Sequence, residues 1–274
     1  MAKKKTKSTS KPTLAELADK QQCYQLSVQS ASHEIEFFEQ AYREAYRRKP
    51  YVLREDFCGT FSVCCEWVKS KKKRIAIGVD LCGDTIQWGR DHNLAPLDES
   101  EQSRITLVQD DVRTRHRTKA DVLAAQNFSF WIFKKRQEVI EYFKTARANL
   151  KPEGIMVLDM MGGPGCYEEQ TDERKIGKGK KSFHYEWEQA SFDPITRDAS
   201  FYIHFSFQDN SRLYRAFEYH WRFWTIPEVR EMLEEAGFSE TRVYWETEDD
   251  SGEWERAESA ESASVWICYV VGVK

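Results

Sequence analysis

Apolar and polar positions follow one another in this chain in blocks whose period changes along its length. From Leu14 to Arg48 the chain is polar and helix-forming, with Ile35, Phe37, Phe38, Ala41, Tyr42 and Tyr46 as an apolar stripe at helical spacing. Short apolar runs near 51–54, 75–80, 105–109, 121–128 and 154–160 then alternate with helical segments near 61–70, 84–92 and 135–150. Such alternation predicts a parallel sheet with right-handed crossovers, whose ligands bind beyond the carboxyl ends of the strands.

The second half reads differently. Met161-Gly162-Gly163-Pro164-Gly165 marks a loop, and the charged stretch 172–181 is expected to be mobile. Three strand-like runs follow at 183–192, 199–207 and 212–224, with Asp193-Pro194 and Gln208-Asp209-Asn210-Ser211 between them, which predicts an inserted antiparallel β-meander. A helix over 226–236, capped by Gly237, leads to two last strands near 241–247 and 264–272.

With 274 residues and no evident linker, the chain is expected to form one α/β domain from residue 13 to 274 after a basic tail at 1–12. Its parts would be an N-terminal helical cover at 13–49, a cofactor-binding core at 50–165, the meander at 182–224 and a C-terminal helix with strands at 225–274. The tail, with Lys3, Lys4, Lys5, Lys7 and Lys11, reads as a solvated, disordered end, and Lys69–Arg74 as a solvated loop. A formal charge of −4 argues against a general nucleic-acid surface. No apolar stretch suits a signal sequence or a membrane span, so a cytoplasmic protein is expected. The seven cysteines, at 23, 58, 64, 65, 82, 166 and 268, are scattered, lack zinc-ligand spacing and read as reduced thiols; no metal site is expected.

The densest chemistry lies between Tyr51 and Asp80. An apolar run (Tyr51-Val52-Leu53) enters the turn Arg54-Glu55-Asp56-Phe57-Cys58-Gly59-Thr60, and after a helical segment a second run (Ile75-Ala76-Ile77-Gly78-Val79) ends on Asp80. A turn after the first strand lets a ligand approach backbone and helix N-terminus, and an acid about 20 residues on can bind two ribose hydroxyls. A dinucleotide fingerprint wants three glycines around a pyrophosphate, and only Gly59 is present, flanked by Phe57 and Phe61. A nicotinamide dehydrogenase loses support on that ground. Cys58 reads as a small side chain filling the turn, with a nucleophilic role as the alternative.

These residues resemble the class I S-adenosylmethionine-dependent methyltransferases, with Glu55, Cys58, Gly59 and Thr60 matching the turn that cradles the amino acid part of the cofactor. The likeness continues with Val79-Asp80-Leu81 for the ribose, Gln109-Asp110-Asp111-Val112 for the adenine, Asn127-Phe128-Ser129-Phe130 at the fourth strand end and Lys151-Pro152-Glu153-Gly154 before the fifth. It implies a Rossmann-like seven-stranded sheet whose last strand is antiparallel, and S-adenosylmethionine as cofactor with S-adenosylhomocysteine as product. It further implies cofactor contacts from Arg54 to the carboxylate, Phe57 in the turn, Asp80 to ribose, Asp111 or else Asp110 to the adenine amino group, and Tyr24 and Gln29 from a covering N-terminal segment. Asn127 and Phe128 would face the transferred methyl. Asn-Phe-Ser-Phe lacks the double proline of enzymes acting on exocyclic amino groups of bases, which favours a small-molecule N, S or O acceptor.

Period-two alternation places Tyr202, His204 and Ser206 on one face of a meander strand, Glu218, His220 and Arg222 on the next, and His184, Glu186 and Glu188 on the first. Above a cofactor they would make a substrate pocket, with Tyr202, His204 and His220 as candidate catalytic groups; otherwise the face is solvated. The opposite, aromatic face, with Phe201, Ile203, Phe205, Phe207, Phe217, Tyr219, Trp221 and Phe223, needs a cover, and a homodimer through it is one expectation. Competing readings are an RNA or protein methyltransferase and a non-catalytic S-adenosylmethionine-binding protein whose turn has decayed.

Overall fold

The computed structural model describes residues 11–247 and 253–274. The basic tail expected at 1–12 therefore lies outside the described residues, except for Lys11 and Pro12. The helices are α1 Leu14–Leu17, α2 Lys20–Val28, α3 Ala31–Tyr46, α4 Ser62–Ser70, α5 Gly83–Gly89, α6 Glu99–Gln102, α7 Arg136–Asn149 and α8 Ile226–Glu235. The strands are β1 Val52–Asp56, β2 Ile75–Asp80, β3 Ile105–Gln109, β4 Ala120–Ala125, β5 Leu150–Gly162, β6 Gln170–Ile176, β7 Phe183–Phe192, β8 Asp198–Ser206, β9 Arg212–Arg222, β10 Glu240–Glu246, β11 Trp254–Arg256 and β12 Trp266–Val273.

These elements make two compact units. The larger comprises Gln29–Glu168, Phe192–Ala199 and His220–Lys274, and holds an eight-stranded sheet in the order β11-β10-β12-β5-β4-β1-β2-β3. β1, β2, β3, β4 and β5 pair in parallel, whereas β12 runs antiparallel between β5 and β10. The expected parallel sheet with an antiparallel last strand is thus present, extended by the short edge strand β11. Alternation sorts the strand residues by face. Leu53, Val122, Ala124, Ile155, Val157 and Val271 form one core cluster with Phe37, Phe38, Ala41 and Tyr42 of α3 and Val63, Cys64, Trp67 and Val68 of α4. Helices α7 and α8 pack on the opposite face.

The direction of α3 follows from its ends. Tyr46 Oη donates to the Gly154 carbonyl at 3.2 Å and Tyr42 lies on Asp121, both at the amino ends of strands, so its first turn lies at their carboxyl ends. Arg74 corrects the reading of 69–74 as solvated: it is buried, rests 3.7 Å from the Trp67 ring centre and pairs with Glu39. Among the described residues no helix is long and apolar enough to cross a membrane.

The smaller unit contains the chain up to Val28, Glu169–Ser191 and Ser200–Tyr219. Its sheet runs β6-β7-β8-β9. The stretch expected to be mobile instead supplies β6, paired antiparallel with β7 from Gln170↔Gln189 to Ile176↔Phe183. As a charged edge strand it resists pairing with another chain, and its Asp, Glu, Arg and Lys hide the strand from any propensity argument. Phe183, Tyr185, Ile203 and Phe205 form its core with Cys23, and Tyr24, Val28, Phe207, Phe217 and Tyr219 pack around them. Of the aromatic face that called for a partner, Ile203, Phe205, Phe207, Phe217 and Tyr219 pack in one cluster with Cys23, Tyr24 and Val28 of α2 of the same chain.

Candidate functional site

At the carboxyl edge of the larger sheet, β1 opens into a turn of unusual backbone. Phe57, Gly59 and Phe61 have φ of 57°, 52° and 48°. Left-handed geometry costs a residue with a side chain about 1–2 kcal/mol, so the turn holds glycine-like dihedrals at two positions occupied by phenylalanine. Packing sustains them. Phe61 is fully buried, and Phe57 lies 5.8 Å from Tyr142 and 6.1 Å from Phe133, centre to centre. Cys58 fills the gap beside Gly78, where an added Cβ would meet its Sγ at 2.9 Å. Burial, with Glu55, Asp80 and Asp56 nearby, pushes the Cys58 thiol well above its ordinary range, which removes it as a nucleophile.

Asp80 closes the turn from the end of β2. Its Oδ2 accepts from Gly59 N–H and its Oδ1 from Cys82 N–H, each at 2.8 Å. Leu81, beside it, is exposed. One residue past β3, Asp110 N–H donates to the Asp80 carbonyl, so ribose-side and adenine-side candidates adjoin. Asp110 Oδ1 accepts from Asp111 N–H at 2.8 Å, and Asp111 pairs with Arg113 at 2.7 Å, which holds its carboxyl below the usual range. Val112 is buried. Gln29 also belongs here: Ser62 Oγ, two residues beyond Thr60, donates to its Oε1 at 2.7 Å. Tyr24 lies in the smaller unit, 4.8 Å from Phe217 between ring centres.

Arg54 departs from expectation. It is 0% exposed, its Nε donates to Asp56 Oδ1 at 2.6 Å and its Nη2 to the Val112 carbonyl at 2.9 Å. Tyr142 of α7 donates to the other oxygen of Asp56 at 3.1 Å. The guanidinium thus joins β1 to the loop after β3, on the α7 face, and is buried there, while its Nη1 makes no hydrogen bond among the described residues.

On the opposite face, Glu55 accepts from Cys64 N–H of α4 at 3.1 Å. After β4, Asn127 and Phe128 adopt φ of 57° and 55°, and their N–H groups donate to Asp159 Oδ2 and Oδ1 at 2.7 and 2.9 Å. Asp159 of β5 therefore fixes the turn that the sequence assigned to the transferred methyl. Glu34, in the first turn of α3, faces Glu55 and Asp159. Burial and mutual repulsion push Glu34 up to about 8, and burial pushes Glu55 and Asp159 up to about 7. Sequence reasoning missed Glu34 and Asp159, although each breaks an apolar pattern: Glu34 stands four residues before Phe38 in the α3 stripe, and Asp159 interrupts Ile155–Met161.

The meander histidines correct another expectation. His204 is 0% exposed, one ring nitrogen accepts from Arg215 N–H at 2.9 Å, and the other donates to Glu188 Oε2 at 2.7 Å. With both nitrogens engaged it has no lone pair for a substrate proton. Tyr202 is buried under the Arg215 guanidinium, 3.9 Å from its ring centre, and Ser206 donates to Glu186. His220 is exposed and belongs to the larger unit. Among the described residues no group of three or more His, Cys, Asp or Glu could hold a metal ion.

No family model matches the chain, and no curated protein matches it in sequence. Solved structures do match. An amino pentose methyltransferase from Micromonospora echinaspora, bound to S-adenosylmethionine and involved in calicheamicin biosynthesis, superposes with a TM-score of 0.66 at 13% identity, covering 92% of this chain and 96% of its own. The sugar N-methyltransferase of a Streptoalloteichus species gives 0.66 at 14% identity over 100% and 98%. An S-adenosylmethionine-dependent methyltransferase from Clostridium acetobutylicum gives 0.66 at 15% identity over 92% and 97%. Strand order, antiparallel last strand and whole-chain superposition together make this the fold of S-adenosylmethionine-dependent methyltransferases.

Proposed function

We propose that the protein is an S-adenosylmethionine-dependent methyltransferase that acts on a small-molecule nitrogen acceptor by in-line displacement. The observation that carries this reading is the Phe57–Phe61 turn, which keeps left-handed backbone at both lost glycines and is tied through Gly59 N–H to Asp80. A decayed turn, the ground for a non-catalytic protein, would have no reason to retain that strain. The open side of Gly59, where an added Cβ would meet only Thr85 Cγ2 at 3.8 Å, leaves room for a ligand against the backbone.

In this reading Asp80 holds the ribose, Asp110 and Asp111 border the adenine, and Gln29, Glu55 and Thr60 surround the amino acid part. Asn127 and Phe128, fixed by Asp159, border the methyl. Bound S-adenosylmethionine supplies an activated methyl group. The chain's residues align the acceptor atom at about 3 Å and exclude water. A hydroxyl acceptor needs a base to take its proton, whereas an amine attacks with its own lone pair. The amino pentose and sugar N-methyltransferases among the structural neighbours agree by analogy.

Calorimetric titration with S-adenosylmethionine and S-adenosylhomocysteine tests the cofactor. Wild type is expected to bind both at micromolar concentration, and Asp80→Ala to lose at least about tenfold, or 1.4 kcal/mol, of affinity. Absence of binding by wild type would overturn the reading. Mass-spectrometric detection of methylated amino sugars, against the matching hydroxy sugars, tests the acceptor atom.

A further inference from the structure

Three acidic side chains meet on one face of the larger sheet. Leu53 and Val157 belong to the core cluster covered by α3 and α4, so Glu55 and Asp159, two residues further along β1 and β5, continue that face to the carboxyl edge. Glu34, one helical turn before Phe38, covers the same end. The apolar core thus finishes in carboxyl groups instead of hydrocarbon.

None of the three has a cationic partner in any ion pair among the described residues. Glu55 accepts from the N–H and the thiol of Cys64 on α4, and Asp159 from the backbone of Asn127 and Phe128. Glu34 is 8% exposed and its Oε2 is buried without a hydrogen-bond partner. Asp80 from β2 adds a further negative charge facing Glu55, and Tyr269 of β12 faces Glu34 and Asp159. A buried carboxyl with no partner costs about 1–3 kcal/mol and, if ionised, considerably more. A structure that gathers three buried carboxyl groups, one with an oxygen left without a partner, and sets no lysine or arginine against them is built for a positive charge arriving from outside the chain. These residues do not form a metal site.

We propose that Glu34, Glu55 and Asp159 form a proton-coupled subsite for an organic cation, in which Glu34 releases its proton to solvent when the cation docks. The inference rests on the methyltransferase reading, which supplies two such charges in one molecule, the sulfonium and the α-ammonium of the cofactor. Without ligand the cluster stays neutral by holding protons. With the cation present the carboxylate form of Glu34 is stabilised and its one proton leaves to solvent. Glu34 is a positioning residue in this scheme.

The test is calorimetry from pH 6 to 8.5 in buffers of differing ionisation enthalpy, with S-adenosylmethionine and S-adenosylhomocysteine as probes, on wild type, Glu34→Gln and Asp159→Asn. Both variants are near-isosteric, and melting curves establish that they fold. Wild type is expected to release close to one proton near pH 7, its affinity rising by up to about tenfold per pH unit. Glu34→Gln should release markedly less and bind with a flat pH profile. A linkage confined to S-adenosylmethionine assigns the sulfonium as the charge sensed, and one shared by both compounds assigns the ammonium. Binding of both by wild type without proton release, or unchanged release in Glu34→Gln, overturns the inference alone. No binding of either by wild type overturns the methyltransferase reading and this inference with it.

Discussion

Arg54 shows how far a single residue can be read without its neighbours. Its expected position at the end of the first strand suggested a hand for a carboxylate, whereas Arg54 is the middle residue of β1, Val52–Asp56. The side chain alternates to the α7 face, where Asp56 and the Val112 carbonyl take it. Nothing in the local sequence announces that Asp56, two residues on, is its partner. The consequence is measurable. Arg54→Ala leaves Asp56 buried and unpaired, for which a loss of about 3–5 kcal/mol is expected in urea denaturation, while Arg54→Met with Asp56→Leu should recover much of it. Loss of cofactor affinity in Arg54→Ala at unchanged stability would instead restore the carboxylate role. Asp80 was legible for the opposite reason: its spacing from Gly59 is itself the geometry, closed by one hydrogen bond of 2.8 Å.

At the scale of elements, periodicity located β2, β3, α4 and α7 within about a residue, because each buries one face and the pattern records it. It missed β6 and β11, both at sheet edges, where polar side chains are acceptable and the pattern fades. The glycine turn was half legible. The missing glycines were visible, but the packing that holds Phe57 and Phe61 left-handed comes from distant rings. Two substitutions separate strain from packing. Gly59→Ala has space for its Cβ, so its cost is the positive φ alone, about 1 kcal/mol. Phe61→Gly relieves a similar strain but empties a fully buried ring site, and a net loss of about 2–4 kcal/mol is expected. Equal effects of the two in chemical denaturation would show that the ring does not hold the turn.

At the scale of the whole molecule, the acidic cluster should make stability depend on pH in the sense opposite to ordinary surface carboxylates. Glu34, pushed up to about 8 in the fold from an ordinary value of 4.5, keeps a proton that the unfolded chain has released; Glu55 and Asp159 do so up to about 7. The folded state therefore binds more protons than the unfolded state between about pH 5 and 7, and stability falls as pH rises through that window, by up to about 1.4 kcal/mol per unit for each extra proton held. Carboxyls lowered by partners, such as Glu39, Asp111 and Glu240, act in the other direction, but their titration is complete below this window. His116, lowered by burial, opposes the trend with a single group. The ligand-free protein should consequently melt at a lower temperature at pH 7.5 than at pH 5.5, and Glu34→Gln should flatten the difference while raising the melting temperature most at the higher pH. A saturating organic cation should flatten it as well, since it stabilises the ionised form. Equal melting temperatures across this range in wild type would mean that the three carboxyls are already ionised in the empty fold, and the cluster would then have to owe its charge to solvent entering the carboxyl edge of the sheet.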